Sequence, residues 1–271
     1  MTARKHVFSF LGSYALIACI SALGCGGAGA EVRIEKAEYK KGDVTFKTIV
    51  AYDTAVQGKQ PAILIGPTWT GPGEYVEGRA ASLAKMGYVV LVADIYGNGL
   101  QPARGKDAAA QMDIYMKDRS LLRERMRAGY DALRVDARVD ARKIFAVGYC
   151  FGGTGVLELA RSGSELAGVV VFHGILDTPT PQDAKNIKAP VLVLNGADDP
   201  LVPPAAAQAF EQEMRNAKVD WQFVNYSGTK HAFSDPSSGT DQTRGSVYNE
   251  KSDRRSWIAM QNFLREIADR K

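Results

Sequence analysis

Gly148-Tyr149-Cys150-Phe151-Gly152-Gly153 is the stretch that decides how this chain is read. An apolar run, Lys143-Ile144-Phe145-Ala146-Val147, leads into it, and a helix-like stretch from Thr154 to Ser162 follows. The pattern is G-x-nucleophile-x-G, with Cys where Ser is usual. A sharp strand-to-helix turn of this kind lifts one side chain above the end of a sheet. The flanking glycines keep that turn free of clashes. The helix beyond it aims N-terminal N–H groups at the turn, which favours a thiolate and, later, an oxyanion. A buried cysteine is often only a small apolar filler; this setting argues against that here.

Outward from the turn, short apolar runs alternate with helical spacing. Glu31 to Val50 reads as one or two edge strands. Ala62–Ile65 and Tyr88–Ala93 read as buried strands, with a Gly- and Pro-rich loop, 66–73, after the first. Glu74 to Met86 has helical spacing through Tyr75, Arg79, Leu83 and Met86, and Gly87 stops it. Asp107 to Val135 is helical with a break near Lys117-Asp118. Val169–Phe172 and Val191–Leu194 are further buried strands. Pro204 to Asn216 is a helix, Trp221–Val224 an edge strand and Asp253 to Arg270 a terminal amphipathic helix. This alternation predicts an α/β fold: a mostly parallel central sheet with helices on both faces. Ligands in such folds bind at the carboxyl ends of the strands. The Cys150 turn, the 66–73 loop, Asp94, Asp199 and His231 all fall there.

The 271 residues hold three cysteines, Cys19, Cys25 and Cys150. The first two lie in an N-terminal segment with the parts of a signal peptide. Arg4 and Lys5 precede a mostly apolar Val7–Leu23, and Ala28-Gly29-Ala30 offers a small-x-small cleavage site before Glu31. Residues 1–30 are therefore read as a signal peptide and 31–271 as a single α/β domain, exported to the periplasm or secreted. Two alternatives compete. One is a retained anchor, although Ser13, Tyr14 and Ser21 interrupt the apolar run. The other is lipidation at Cys25, within Ala22-Leu23-Gly24-Cys25. Cleavage after Ala30 leaves no stable membrane span and one unpaired thiol, a liability in an oxidising compartment unless it has work to do. The formal net charge of +4 falls to about +2 without the leader. No basic cluster is interleaved with aromatics, so no nucleic-acid partner is expected. The oligomeric state is not legible.

A thiol nucleophile needs a base, and the base needs an orienting carboxylate. Beyond the leader there are two histidines. His231 lies in the loop after the last strand, and His173 lies directly after Val169–Phe172. Asp199 follows a buried strand in Asn195-Gly196-Ala197-Asp198-Asp199-Pro200, with Asp198 as the competing acid. Cys150, Asp199 and His231 have the chain order nucleophile, acid, histidine found in α/β-hydrolases. His173 is given no role. The oxyanion N–H groups are expected from Phe151 and from Trp69 in the 66–73 loop. Trp69 and Tyr96 would make the pocket aromatic.

These residues resemble the dienelactone hydrolase family of α/β-hydrolases, from about Val32 to the C-terminus. The resemblance is carried by the Cys150 turn and by Asp94-Ile95-Tyr96-Gly97. It is also carried by Gly196-Ala197-Asp198-Asp199-Pro200, His231-Ala232-Phe233 and Tyr248-Asn249-Glu250 leading to Arg254-Arg255-Ser256-Trp257. It implies a triad of Cys150, Asp199 and His231, no cofactor and no metal. Dienelactone-cleaving members carry a Glu where this chain has Thr68. They also hold the substrate carboxylate with two arginines, where this chain has Asn98 and Ser234-Asp235. Thr68, Tyr96 and Asn98 are therefore the candidate pocket residues. An anionic lactone is not the expected substrate unless Arg79 and Arg104 serve instead. The expected activity is hydrolysis of small carboxylic esters or lactones through an acyl-thioester. The resting thiol is expected to turn away from His231 and stay neutral until substrate arrives. Two other classes remain: a ligand-binding homologue without turnover, and a thiol redox sensor, which would lack a resolving cysteine.

Overall fold

A computed structural model describes residues 17–18 and 31–270. The leader expected over 1–30 lies outside the described residues, apart from a two-residue strand β1, Ile17–Ala18, which pairs antiparallel with Glu38 and Ala37.

The other strands are β2 (Val32–Lys41), β3 (Val44–Asp53), β4 (Gln60–Gly66), β5 (Val89–Val92), β6 (Val139–Tyr149), β7 (Gly168–Phe172), β8 (Val191–Gly196) and β9 (Trp221–Tyr226). The order across the sheet is β1-β2-β3-β5-β4-β6-β7-β8-β9. From β5 to β9 every pairing is parallel, while β2 and β3 form an antiparallel hairpin joined to β5. β4 to β8 are rich in Val, Ile, Leu and Ala because both their faces are covered. Helices α1 (Glu74–Ala84) and α6 (Glu250–Ala268) pack on one side of the sheet. Helices α2 (Lys106–Lys117), α3 (Arg119–Arg134), α4 (Phe151–Arg161) and α5 (Pro204–Ala217) belong with the other face. This is the α/β-hydrolase fold.

Local chemistry sets the boundaries. Asp118 ends α2 and caps α3, its carboxylate accepting the Leu121 N–H at 2.9 Å. Asn249 caps α6 by accepting the Ser252 N–H at 3.1 Å, so that helix starts at Glu250, ahead of the expected Asp253. Helix α4 begins at Phe151 rather than Thr154, so Gly152 and Gly153 lie in its first turn despite their poor helix propensity. Close approach explains them: a Cβ on Gly152 would sit 2.0 Å from the Gly66 carbonyl oxygen, and one on Gly148 would sit 2.2 Å from the Gly152 oxygen.

In α1 the face on the sheet is Val76, Ala80, Leu83 and Ala84. Of the residues expected at helical spacing, Leu83 lies on that face, and Tyr75 and Met86 are half-buried against the same core. Tyr75 and Arg79 also line a cavity.

Candidate active site

Cys150 sits between β6 and α4 with φ 55° and ψ −119°, a conformation that L-residues avoid. Its N–H donates to the Phe172 carbonyl at 3.0 Å, which anchors the turn to β7. The strained backbone projects the side chain from the sheet's carboxyl edge. The half-buried thiol lies with Sγ 3.1 Å from His231 Nε2. His231 Nδ1 is 2.8 Å from Asp199 Oδ2, and both residues are almost wholly buried. Asp199 Oδ1 accepts the Leu201 N–H at 2.8 Å, which fixes the carboxylate's rotation. Asp198, the competing acid, is exposed, and its N–H bonds the Thr229 carbonyl. His231 is itself held by backbone bonds with Gly245 and Val247.

The electrostatics favour a thiolate beside an imidazolium. Burial pushes the Cys150 thiol up, but the His231 charge, its hydrogen bond and the N–H groups of Phe151 and Trp69 outweigh burial, and the net shift is downward. Burial pulls His231 down, and the Cys150 and Asp199 charges more than reverse this, leaving it well above an ordinary histidine. The thiol therefore does not turn away from His231 as expected; it faces it. Phe151 and Trp69, from α4 and from the loop after β4, supply the backbone N–H groups that help to hold the thiol down.

The cavity over Cys150 has a volume of about 440 Å³. Thr68, Trp69, Met112, Ile175 and Leu201 contribute to its wall, and Arg104, Asp235 and Arg244 bring charge. Thr68 is where it was expected. Tyr96 and Asn98 are not in the wall. The Tyr96 hydroxyl donates to the Trp69 carbonyl at 2.6 Å, and its ring stacks on Phe151 with centroids 6.0 Å apart. It stands behind the loop and braces it. Asn98 is exposed, with φ 56° and its N–H on the Thr45 carbonyl. The Asp94 carboxylate turns that segment away from the cavity by accepting the N–H groups of Lys47, Gly97 and Gly99.

Sequence reasoning missed Arg244, Met112, Ile175 and Leu201. It also gave His173 no role; that residue lines the cavity. His173 is fully buried with φ 40°, its Nε2 2.7 Å from Ser234 Oγ and its ring 5.2 Å from the His231 ring. Burial first, then the neighbouring His231 charge, holds it far below an ordinary histidine, so it supports His231 without repelling it. Among the described residues no group of His, Cys, Asp and Glu is arranged to hold a metal ion, and no helix is long and apolar enough to cross a membrane.

Fold and site together place the chain among the α/β-hydrolases. Residues 46–268 match the dienelactone hydrolase family, and the chain belongs to it. A solved structure described as m3DLH is 36% identical, with a TM-score of 0.84 over 87% of this chain and 98% of its own. A dienelactone hydrolase-like promiscuous phosphotriesterase, P91, from metagenomic libraries is 35% identical, with a TM-score of 0.82 over 88% of this chain and 99% of its own. A probable 2-oxo-3-(5-oxofuran-2-ylidene)propanoate lactonase from Bradyrhizobium sp is 28% identical over 188 residues, 66% of this chain and 75% of the relative.

Proposed function

We propose that the protein is an exported cysteine hydrolase of small carboxylic esters or lactones. One observation carries the reading: Cys150 Sγ lies 3.1 Å from His231 Nε2, whose Nδ1 is 2.8 Å from Asp199 Oδ2. The likeness to the Bradyrhizobium lactonase supports the choice of a carboxylic substrate.

In this reading the thiolate of Cys150 attacks the carbonyl carbon. The carbonyl oxygen gains negative charge, which the N–H groups of Phe151 and Trp69 stabilise as hydrogen-bond donors. The C–O bond to the leaving group breaks, and that oxygen takes the proton held on His231 Nε2. Neutral His231 then removes a proton from water, whose hydroxide attacks the thioester. The C–S bond breaks, and the acid leaves as the thiolate–imidazolium pair re-forms. Asp199 holds the imidazole ring and stabilises its charge throughout.

The test is hydrolysis of p-nitrophenyl acetate by the chain from Glu31 onward, beside Cys150→Ala. Turnover by the wild type alone is the expected result; equal turnover by a homogeneous Cys150→Ala sample refutes a Cys150 nucleophile. Export rests on the leader pattern alone. Recovery of an uncleaved chain from the cytoplasmic fraction of an expressing bacterium would refute it.

A further inference from the structure

A second cavity, of about 700 Å³, adjoins the one over Cys150, and the two share Thr68, Arg104 and Asp235. Where the first is walled by Met112, Ile175 and Leu201, the second is lined by Thr68 and Thr70, whose hydroxyls bond each other at 3.0 Å, by Ser82, whose hydroxyl donates to the Gly78 carbonyl at 2.8 Å, and by Ser237. Its charges are paired. Arg79 meets Asp253 at 2.5 Å and donates to the Ser234 carbonyl at 2.6 Å; Arg104 lies 3.7 Å from Asp235 and 3.3 Å from Ser237 Oγ. Glu74 adds a third carboxylate against the two arginines, so an anionic ligand gains no net attraction here. Paired charges still offer fixed donors and acceptors, which suit neutral hydroxyl groups.

The chamber's position in the reaction follows from its wall. Asp235, Pro236 and Ser237 continue the loop that carries His231. His231 is the proton donor to the departing oxygen, so the leaving group lies on this side and the acyl group in the apolar cavity. We propose that the natural substrate is an ester of a neutral polyhydroxylated alcohol, of sugar or glycerol type, with the alcohol seated in the second chamber. This rests on the thiol-hydrolase reading. The Sγ–acyl bond forms, the bond from acyl carbon to alcohol oxygen breaks, and the proton on His231 Nε2 passes to that oxygen.

The test compares methyl 6-O-butanoyl-glucoside with cyclohexylmethyl butanoate, a ring of similar size without hydroxyls, in wild type and Gly78→Trp. Gly78 lies on α1 at the chamber wall, has no side chain to hold substrate, and a Cβ there meets nothing within 4 Å. A tryptophan at this wall position has open space around its Cβ and a ring long enough to cover the chamber. The wild type should favour the glucoside in kcat/KM by about tenfold or more, because hydroxyl-binding sites reject analogues lacking the group. Gly78→Trp should erase that preference and leave methyl butanoate turnover within about twofold, because a one-carbon alcohol does not reach the second chamber. No preference in the wild type, or a preference that survives Gly78→Trp, overturns the proposal. Calorimetric binding of the intact glucoside to Cys150→Ala, with and without Gly78→Trp, separates the two readings. Binding to Cys150→Ala that is sensitive to Gly78→Trp, beside a wild type that hydrolyses none of these esters, sinks the hydrolase and keeps the chamber; no binding beside an active wild type sinks the chamber alone.

Discussion

Asp199→Asn isolates how the Cys150 thiolate is maintained. The amide has the carboxylate's shape and can keep the bond from the Leu201 N–H, but its NH2 then faces His231 Nδ1, so the change removes both the charge and the acceptor for the imidazolium N–H. Asp199 Oδ2 lies 2.8 Å from His231 Nδ1 in a buried setting. Two charges about 4 Å apart interact by ~4 kcal/mol at an effective dielectric near 20, and a hydrogen bond to a charged group nets about 1.5–3 kcal/mol. A loss of ~3 kcal/mol in imidazolium stability equals about two pKa units. The thiolate–imidazolium population should then fall by about 10²-fold wherever the wild-type pair is formed and the variant's is not. In the wild type the thiol pKa is lowered, so acylation should be flat with pH down to below the ordinary thiol range. In the variant the thiolate should appear only near the free-thiol value of about 8.5. The deficit is therefore largest near neutrality and closes as pH rises past that value. The nitrophenol burst on mixing with p-nitrophenyl acetate reads acylation alone, and absorbance at 240 nm reads the thiolate. Parallel burst-rate profiles for wild type and Asp199→Asn, or a 240 nm titration that does not move, would refute the ion-pair account.

Two further substitutions test the scaffold. Tyr96→Phe removes the 2.6 Å bond to the Trp69 carbonyl but keeps the ring stack on Phe151; with a net hydrogen bond worth about 1 kcal/mol, kcat should fall by about 2- to 10-fold with little change in KM. A change in KM alone would place Tyr96 in substrate binding rather than behind the oxyanion loop. Gly152→Ala puts a methyl 2.0 Å from the Gly66 carbonyl oxygen, backbone against backbone; thermal melting should show a loss of ~3 kcal/mol or more, or failure to fold. An unchanged melting temperature would mean that β4 and α4 are not packed as closely as described.

What is legible in the sequence and what is not divides along a physical line. The Cys150 turn is legible because its requirements are local: Gly148 and Gly152 are small since a helix start and two strand ends meet within van der Waals contact. Asp199 and His231 are legible because each follows a buried strand or closes the last one, and strand order then brings them to one edge. Beyond Thr68 and Trp69, most of the pocket wall is not legible. Asn98 looks suitable only because it follows Tyr96, whereas Asp94 gathers three backbone N–H groups and sends that loop outward. Arg244 reaches the cavity through a bridge between His231 and Ser246, a pairing with no sequence signature. The phase of α1 is only partly legible: Leu83 lies where its spacing puts it, but Ala80 and Ala84 are small and do not stand out beside Tyr75. That phase bears on function. Small residues let α1 lie close to the sheet, and Tyr75 and Arg79 are thereby left to bond Ser234 beside the histidine loop. The reacting atoms are thus fixed by strand ends, whose pattern a sequence displays, and the substrate's surroundings by helix phase and loop direction, which emerge only when distant segments pack.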